Sequence, residues 1–185
     1  MSKFWIEGKK LIKYSGDGGD IVIPDTISEI MPCAFENARL TSVKFPEGIK
    51  KIGSAAFKNC TELKELSFSA SLSYVGKFAF LGCTGIEKIK FYDGLMGANN
   101  LDIDQSAFFN CPSLELVDFP ERLTSIGFKA FAYCKKMKHV YITEGCKTVG
   151  SQAFANCTSL ERAIVPKEAK CAGDAFSAPT QVHTY

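Results

Sequence analysis

The chain has 185 residues, 46% hydrophobic and 12% aromatic, which is enough for a continuous core in one domain or a short repeat array. Lys plus Arg number 22 against 20 for Asp plus Glu, a net charge of +2, so a broad field that would draw in nucleic acid or an anionic membrane is excluded. No stretch approaches the about 18 apolar residues of a membrane span, so membrane insertion is not expected.

From the N-terminus, Lys3 and the glycine of Glu7-Gly8 interrupt what a secretory signal would need as an unbroken apolar run. The sequence as written therefore reads as cytoplasmic, with a surface or secreted location if the N-terminus is truncated or export is unconventional. Phe4-Trp5-Ile6 and Leu11-Ile12-Lys13-Tyr14, joined by Glu7-Gly8-Lys9, predict a hairpin over residues 1–19 that lids the first repeat unit. Ser15-Gly16-Asp17-Gly18-Gly19-Asp20 superficially resembles a phosphate-cradling loop, but it precedes the strand-like Ile21-Val22-Ile23-Pro24 and not a helix. A turn between cap and first repeat is the better reading.

Residues 20–178 are a tandem repeat. Ala-Phe recurs with its Phe at 35, 57, 80, 108, 131, 154 and 176, in steps of 22, 23, 28, 23, 23 and 22 residues. Five positions before the Phe stand Ile30, Ile52, Val75, Ile103, Ile126, Val149 and Cys171. Three after it stand Cys60, Cys83, Cys111, Cys134 and Cys157, and three further on Leu63, Ile86, Leu114, Met137 and Leu160. An alternating apolar pair comes next, as in Leu66/Phe68, Ile89/Phe91, Val117/Phe119, Val140/Ile142 and Ala163/Val165, often ended by proline, which reads as a short strand. Units this small bury their apolar positions only by stacking. The strands are expected to form one continuous parallel sheet, with the Ala-Phe to Cys segment as a short helical turn or irregular arc opposite. Gly53, Gly76, Gly127 and Gly150, four positions before the Phe, are expected to supply positive φ in a tight bend.

The fourth unit is longer than its neighbours through residues 92–100, a glycine- and asparagine-containing insertion whose Leu95 and Met96 could touch a partner, although surface loops also tolerate extra residues at little cost. Pro179 replaces the repeat Cys of the last unit, and residues 179–185 read as a final strand or cap. The whole, 1–185, is expected to be a single domain.

Eight cysteines could signal a disulfide framework, but five share one repeat phase, so they are expected to pack as small hydrophobes with free thiols. Cys146 and Cys171 stand at other apolar phases and are expected in the core, whereas Cys33 lies off phase. There is no Cys-x-x-Cys for a structural zinc site, and His139 and His183 are the only histidines. Asn59-Cys60-Thr61 and Asn156-Cys157-Thr158 match the glycosylation sequon only because the repeat creates them around a buried cysteine. Acidic residues are scattered without a pair marked out for acid–base work. No catalytic, cofactor or metal site is expected.

Units such as Leu63-Lys64-Glu65-Leu66-Ser67-Phe68 and Leu123-Thr124-Ser125-Ile126-Gly127-Phe128-Lys129-Ala130-Phe131-Ala132-Tyr133-Cys134 resemble the BspA-type class of leucine-rich repeats over roughly residues 20–178. The resemblance implies an α/β fold: a right-handed leucine-rich-repeat solenoid with a curved parallel sheet on the concave face and short helical or irregular arcs opposite. It also implies a bacterial or protist source and an adhesion or protein-binding role, and it transfers no catalytic residue.

Strand alternation turns the residues flanking each buried pair to the other side of the sheet. Units three to six thus bring together Lys88, Lys90, Tyr92, Leu116, Asp118, His139, Tyr141, Arg162 and Ile164, an aromatic, apolar and mixed-charge set of the kind found in protein interfaces. A protein partner is expected. The alternatives are a surface adhesion or carbohydrate-binding fragment, taking a sugar or host matrix on Tyr92 and Tyr141, and a purely structural spacer.

Overall fold

The computed structural model describes residues 3–94 and 99–185. Among them are seventeen strands, numbered β1 to β17 in chain order, and no helix. The chain winds through about seven turns, and each turn contributes two strands and one arc.

The first strand of each turn forms around the branched apolar residue that precedes the Ala-Phe. These strands are β4 (Glu29–Ile30), β6 (Lys51–Ile52), β8 (Tyr74–Val75), β10 (Leu101–Ile103), β12 (Leu123–Ile126), β14 (Thr148–Val149) and β16 (Lys170–Cys171). They pair in parallel, with Ile30 opposite Ile52, Ile52 opposite Val75 and Ile126 opposite Val149. The N-terminal hairpin, β1 (Phe4–Glu7) and antiparallel β2 (Lys10–Tyr14), joins the same sheet through Leu11 opposite Ile30, completing nine strands. Phe4 and Tyr14 pack on the ring of Phe35, so the hairpin covers the first turn. The alternation pattern does not reveal this nine-stranded sheet, because five of its strands are only two residues long and have no alternation to show.

The second strand of each turn carries the alternating pair: β3 (Gly19–Val22), β5 (Leu40–Lys44), β7 (Glu65–Phe68), β9 (Lys88–Phe91), β11 (Leu116–Asp118), β13 (His139–Tyr141), β15 (Arg162–Val165) and β17 (Gln181–Thr184). Inward residues stack in register, Leu66 on Ile89 and Phe68 on Phe91. The expected single sheet is in fact three, β3-β5, β7-β9-β11 and β13-β15-β17. No ladder joins β5 to β7 or β11 to β13. The core records both breaks: Val43, Phe45, Val117 and Phe119, just before them, keep 8, 8, 8 and 9% of their surface, whereas Leu66, Phe68 and Ile89 keep 1, 0 and 1%.

The expected helical arcs are absent. Residues two before and two after the repeat Phe adopt positive φ in six turns, for example Ala55 (54°) and Asn59 (59°), or Lys129 (55°) and Tyr133 (65°), and a left-handed residue at that spacing prevents a right-handed helix from propagating. The backbone is satisfied differently. N–H groups of Ala55, Phe57 and Asn59 donate to Lys77, Ala79 and Leu81 in the next turn (2.8, 2.7 and 2.8 Å), while those of Ala56, Lys58 and Cys60 close tight turns within their own unit. The arc is therefore a third ladder. Asn37, Asn59, Asn110 and Asn156 at the later position suit this conformation, which asparagine tolerates better than most residues.

The glycines four before the Phe have another role than expected. Gly53 and Gly76 do not have positive φ; a Cβ at Gly53 would lie 2.7 Å from the Ile30 carbonyl oxygen, and one at Gly76 2.9 Å from that of Ile52. They allow successive turns to approach closely.

Inside, the repeat Phe rings form one column, Phe35, Phe57, Phe80, Phe108, Phe131, Phe154 and Phe176, with centroids 4.6–5.4 Å apart and planes nearly parallel. The five repeat cysteines and Cys146 are buried, and all eight thiols are free. Cys171, expected in the core, is exposed because β16 is the last strand of its sheet and no further turn covers it; Cys33 is half-buried on the arc.

Candidate interaction surface

Strand pleating turns Lys88, Lys90, Leu116, Asp118, His139, Tyr141 and Arg162 outward, where they are exposed, and leaves Ile164 half-buried. Register sets Leu116 beside Lys88 and Asp118 beside Lys90 in one sheet, and His139 beside Arg162 and Tyr141 beside Ile164 in another. The break between β11 and β13 therefore divides the predicted set into two halves. Lys88 pairs with Glu65 of the preceding turn at 3.7 Å, an exposed contact of little energetic weight. The Lys90 ammonium lies 4.6 Å from the centroid of the Tyr92 ring.

Tyr92 continues β9 where four sister units place Pro24, Pro46, Pro120 and Pro166, and its N–H donates to Phe68 at 2.9 Å. The root of the insertion is tied down by Arg122. Its Nη1 donates to the carbonyls of Leu72 and Asn99, and its Nη2 to those of Ser69 and Tyr92. Asp93 accepts the Glu121 N–H at 2.9 Å, and its charge lies near the guanidinium. Leu95 and Met96 lie outside the described residues. A basic residue directly before the Leu of a strand was the only sequence sign of this anchor.

Sequence reasoning also missed Tyr185. Its ring stacks on Tyr141 at 5.5 Å and its hydroxyl donates to the Ile142 carbonyl at 3.2 Å, so the face has a third tyrosine. β17 extends both outward columns, with Gln181 beside Arg162 and His183 beside Ile164. Exposed aromatics are not confined to this face, since Phe78, Phe128 and Tyr133 project from the arcs. At the N-terminal end, Asp20 accepts hydrogen bonds from Ser42 and Thr41, which hold its carboxyl below the usual range. Among the described residues no group of three or more His, Cys, Asp or Glu side chains is placed to hold a metal ion, and no helix is long and apolar enough to cross a membrane.

The family described as BspA type leucine rich repeat region matches residues 10–101 and 95–184, with six copies. No curated protein matches the chain. Among solved structures, a leucine rich repeat protein of T. pallidum is 25% identical with a TM-score of 0.60, over 84% of this chain and 63% of that one. A leucine-rich repeat protein from Eubacterium ventriosum is 22% identical with a TM-score of 0.78, over 91% and 45%. One from Bacteroides ovatus is 20% identical with a TM-score of 0.52, over 90% and 54%. The chain thus spans about half to two thirds of the length of these proteins.

Proposed function

This chain belongs to the BspA-type leucine-rich repeat family, and from that premise we propose that it is a non-catalytic protein-binding module whose partner docks on the outward columns of β9, β11, β13 and β15. The family is generally non-enzymatic. One observation carries the choice of face: Leu116 and Tyr141 stand in register among Lys88, Lys90, His139 and Arg162, with Tyr92 just past the end of β9, all exposed and none needed by the core. Aromatics and Arg at the centre of such a patch are the residue types that dominate interface energetics.

The test compares two variants as bait for proteins from the organism's own cells. Lys90→Glu with Tyr141→Ala and Arg162→Glu should lose the partner, by a few kcal/mol if Tyr141 and Arg162 are anchors, at a nearly unchanged melting temperature. The arc variant, Lys58→Glu with Tyr133→Ala and Lys135→Glu, should retain it. Loss with the arc variant alone would move the site to the arcs and their exposed aromatics.

A further inference from the structure

The break between β5 and β7 opens a cleft of about 630 Å³ on the strand face. Its floor is the edge of Val43 and Phe45, two core residues the break leaves partly uncovered. Its far wall is Tyr92, 48% exposed, held by its own N–H on Phe68 and by Arg122 on its carbonyl. Lys90, whose ammonium sits 4.6 Å from the centroid of the Tyr92 ring, lines a neighbouring depression and not this one, so a ligand stacked on Tyr92 takes the ring face that the ammonium leaves free. Lys44, Glu47 and Ser67 border the opening, and none of these side chains has a hydrogen bond or ion pair among the described residues.

The chemistry of this lining selects its ligand. A purely apolar anchor would leave an ammonium, a carboxylate and a hydroxyl desolvated without partners. An anion would meet two carboxylates, Glu47 and Asp93, balanced by the ammonium of Lys44 and by Arg122 beside Asp93, so the cleft offers no excess of positive charge to hold it. A neutral polyol with one apolar face satisfies all of them: its C–H face lies on the Tyr92 ring, and its hydroxyls donate to the carboxylates and accept from Lys44 and Ser67. The volume suits one or two pyranose rings. We propose that the β5/β7 cleft is a binding site for a neutral saccharide unit, stacked on Tyr92 and hydrogen-bonded by Lys44, Glu47 and Ser67. Tyr92 also belongs to the β9/β11 half of the protein-binding face, whereas the cleft is separate from the β13/β15 half and does not depend on it.

Saturation-transfer NMR on the intact chain, with methyl glycosides of glucose, galactose, mannose and N-acetylglucosamine and their disaccharides as probes, tests this. At least one should receive saturation, concentrated on the protons of one ring face. Tyr92→Ala should weaken its Kd by roughly tenfold, the scale of one lost stacking contact. Ala70→Phe, which fills the cleft, should abolish binding, and Ser67→Leu serves the same purpose if Ala70→Phe lowers the melting temperature. Tyr141→Ala should leave sugar binding intact even where it abolishes protein capture, so the two sites fail separately. Absence of saturation for every probe overturns the proposal, as does binding that survives both Tyr92→Ala and the filled cleft. A preference for uronic or sulfated sugars, or loss of a protein partner with Ala70→Phe while no sugar binds, would likewise overturn it, the last in favour of a peptide side chain as occupant.

Discussion

The Cys60 thiol donates to the carbonyl oxygen of Phe35 in the turn before it, across 3.1 Å. The same contact recurs from Cys83 to Phe57 at 3.0 Å, Cys111 to Phe80 at 3.4 Å, Cys134 to Phe108 at 3.6 Å and Cys157 to Phe131 at 3.2 Å. The repeat cysteine thus fills space and also ties each turn to the previous one.

Thiol chemistry should track burial. Thiol titration of the unfolded, unreduced protein should find all eight cysteines. In the folded protein the thiolate is the reactive form, and burial pushes Cys60 and Cys111 up to about 12. Native labelling should therefore reach Cys171 first and Cys33 next, and leave Cys60 and Cys111 untouched. A titre of four or fewer in the unfolded protein would mean that disulfides form after all.

The same burial gives stability an alkaline limit. Folded thiols at Cys60 and Cys111 lose their protons near pH 12, whereas unfolded ones lose them near the ordinary value of 9.0. Their contribution is present below pH 9 and is lost as pH rises from 9 towards 12, because only the unfolded chain releases protons in that window. The melting temperature should fall across it, and the fall should be shallower in the Cys60→Ala, Cys111→Ala variant. Equal slopes would show that other groups govern the alkaline limit.

Phe131 is buried, stacked between Phe108 and Phe154 and edge-on to Phe119. Phe131→Ala should cost about 3 to 5 kcal/mol through lost transfer energy and a cavity. Phe176 stacks on Phe154 alone and is only partly buried, so Phe176→Ala should cost much less. Denaturant midpoints of the two variants compare them directly.

Arg122 bridges the root of the insertion to the turn before it through carbonyls of Ser69, Leu72, Tyr92 and Asn99. Hydrogen bonds to a charged group contribute about 1.5 to 3 kcal/mol each where they are buried, and partial exposure here brings the whole set to the scale of one such bond. Arg122→Met should lower the unfolding free energy by that order, with a matching drop in melting temperature, and speed hydrogen exchange at the Tyr92 amide. Arg122→Lys should rescue little, since one ammonium cannot span two pairs of carbonyls.

The phase of the repeat, the buried columns and the outward position of Lys88, Lys90, Asp118, His139, Tyr141 and Arg162 were all legible in the amino-acid order, because stacking converts a periodic position into a periodic environment. The local sequence does not carry what depends on the distance between neighbouring turns. Gly53 reads as a bend residue until the Ile30 carbonyl is seen where its Cβ would stand. The arcs read as helical until the left-handed residues on either side of each Phe send their N–H groups to the next turn. The strand sheet reads as continuous, yet Val43 and Val117 border gaps where no ladder forms, and the cleft against Tyr92 lies at one of them. Periodicity determines which way a side chain faces; whether two turns meet closely enough to exchange hydrogen bonds, or part to leave a cleft, is decided by the packing of the whole stack.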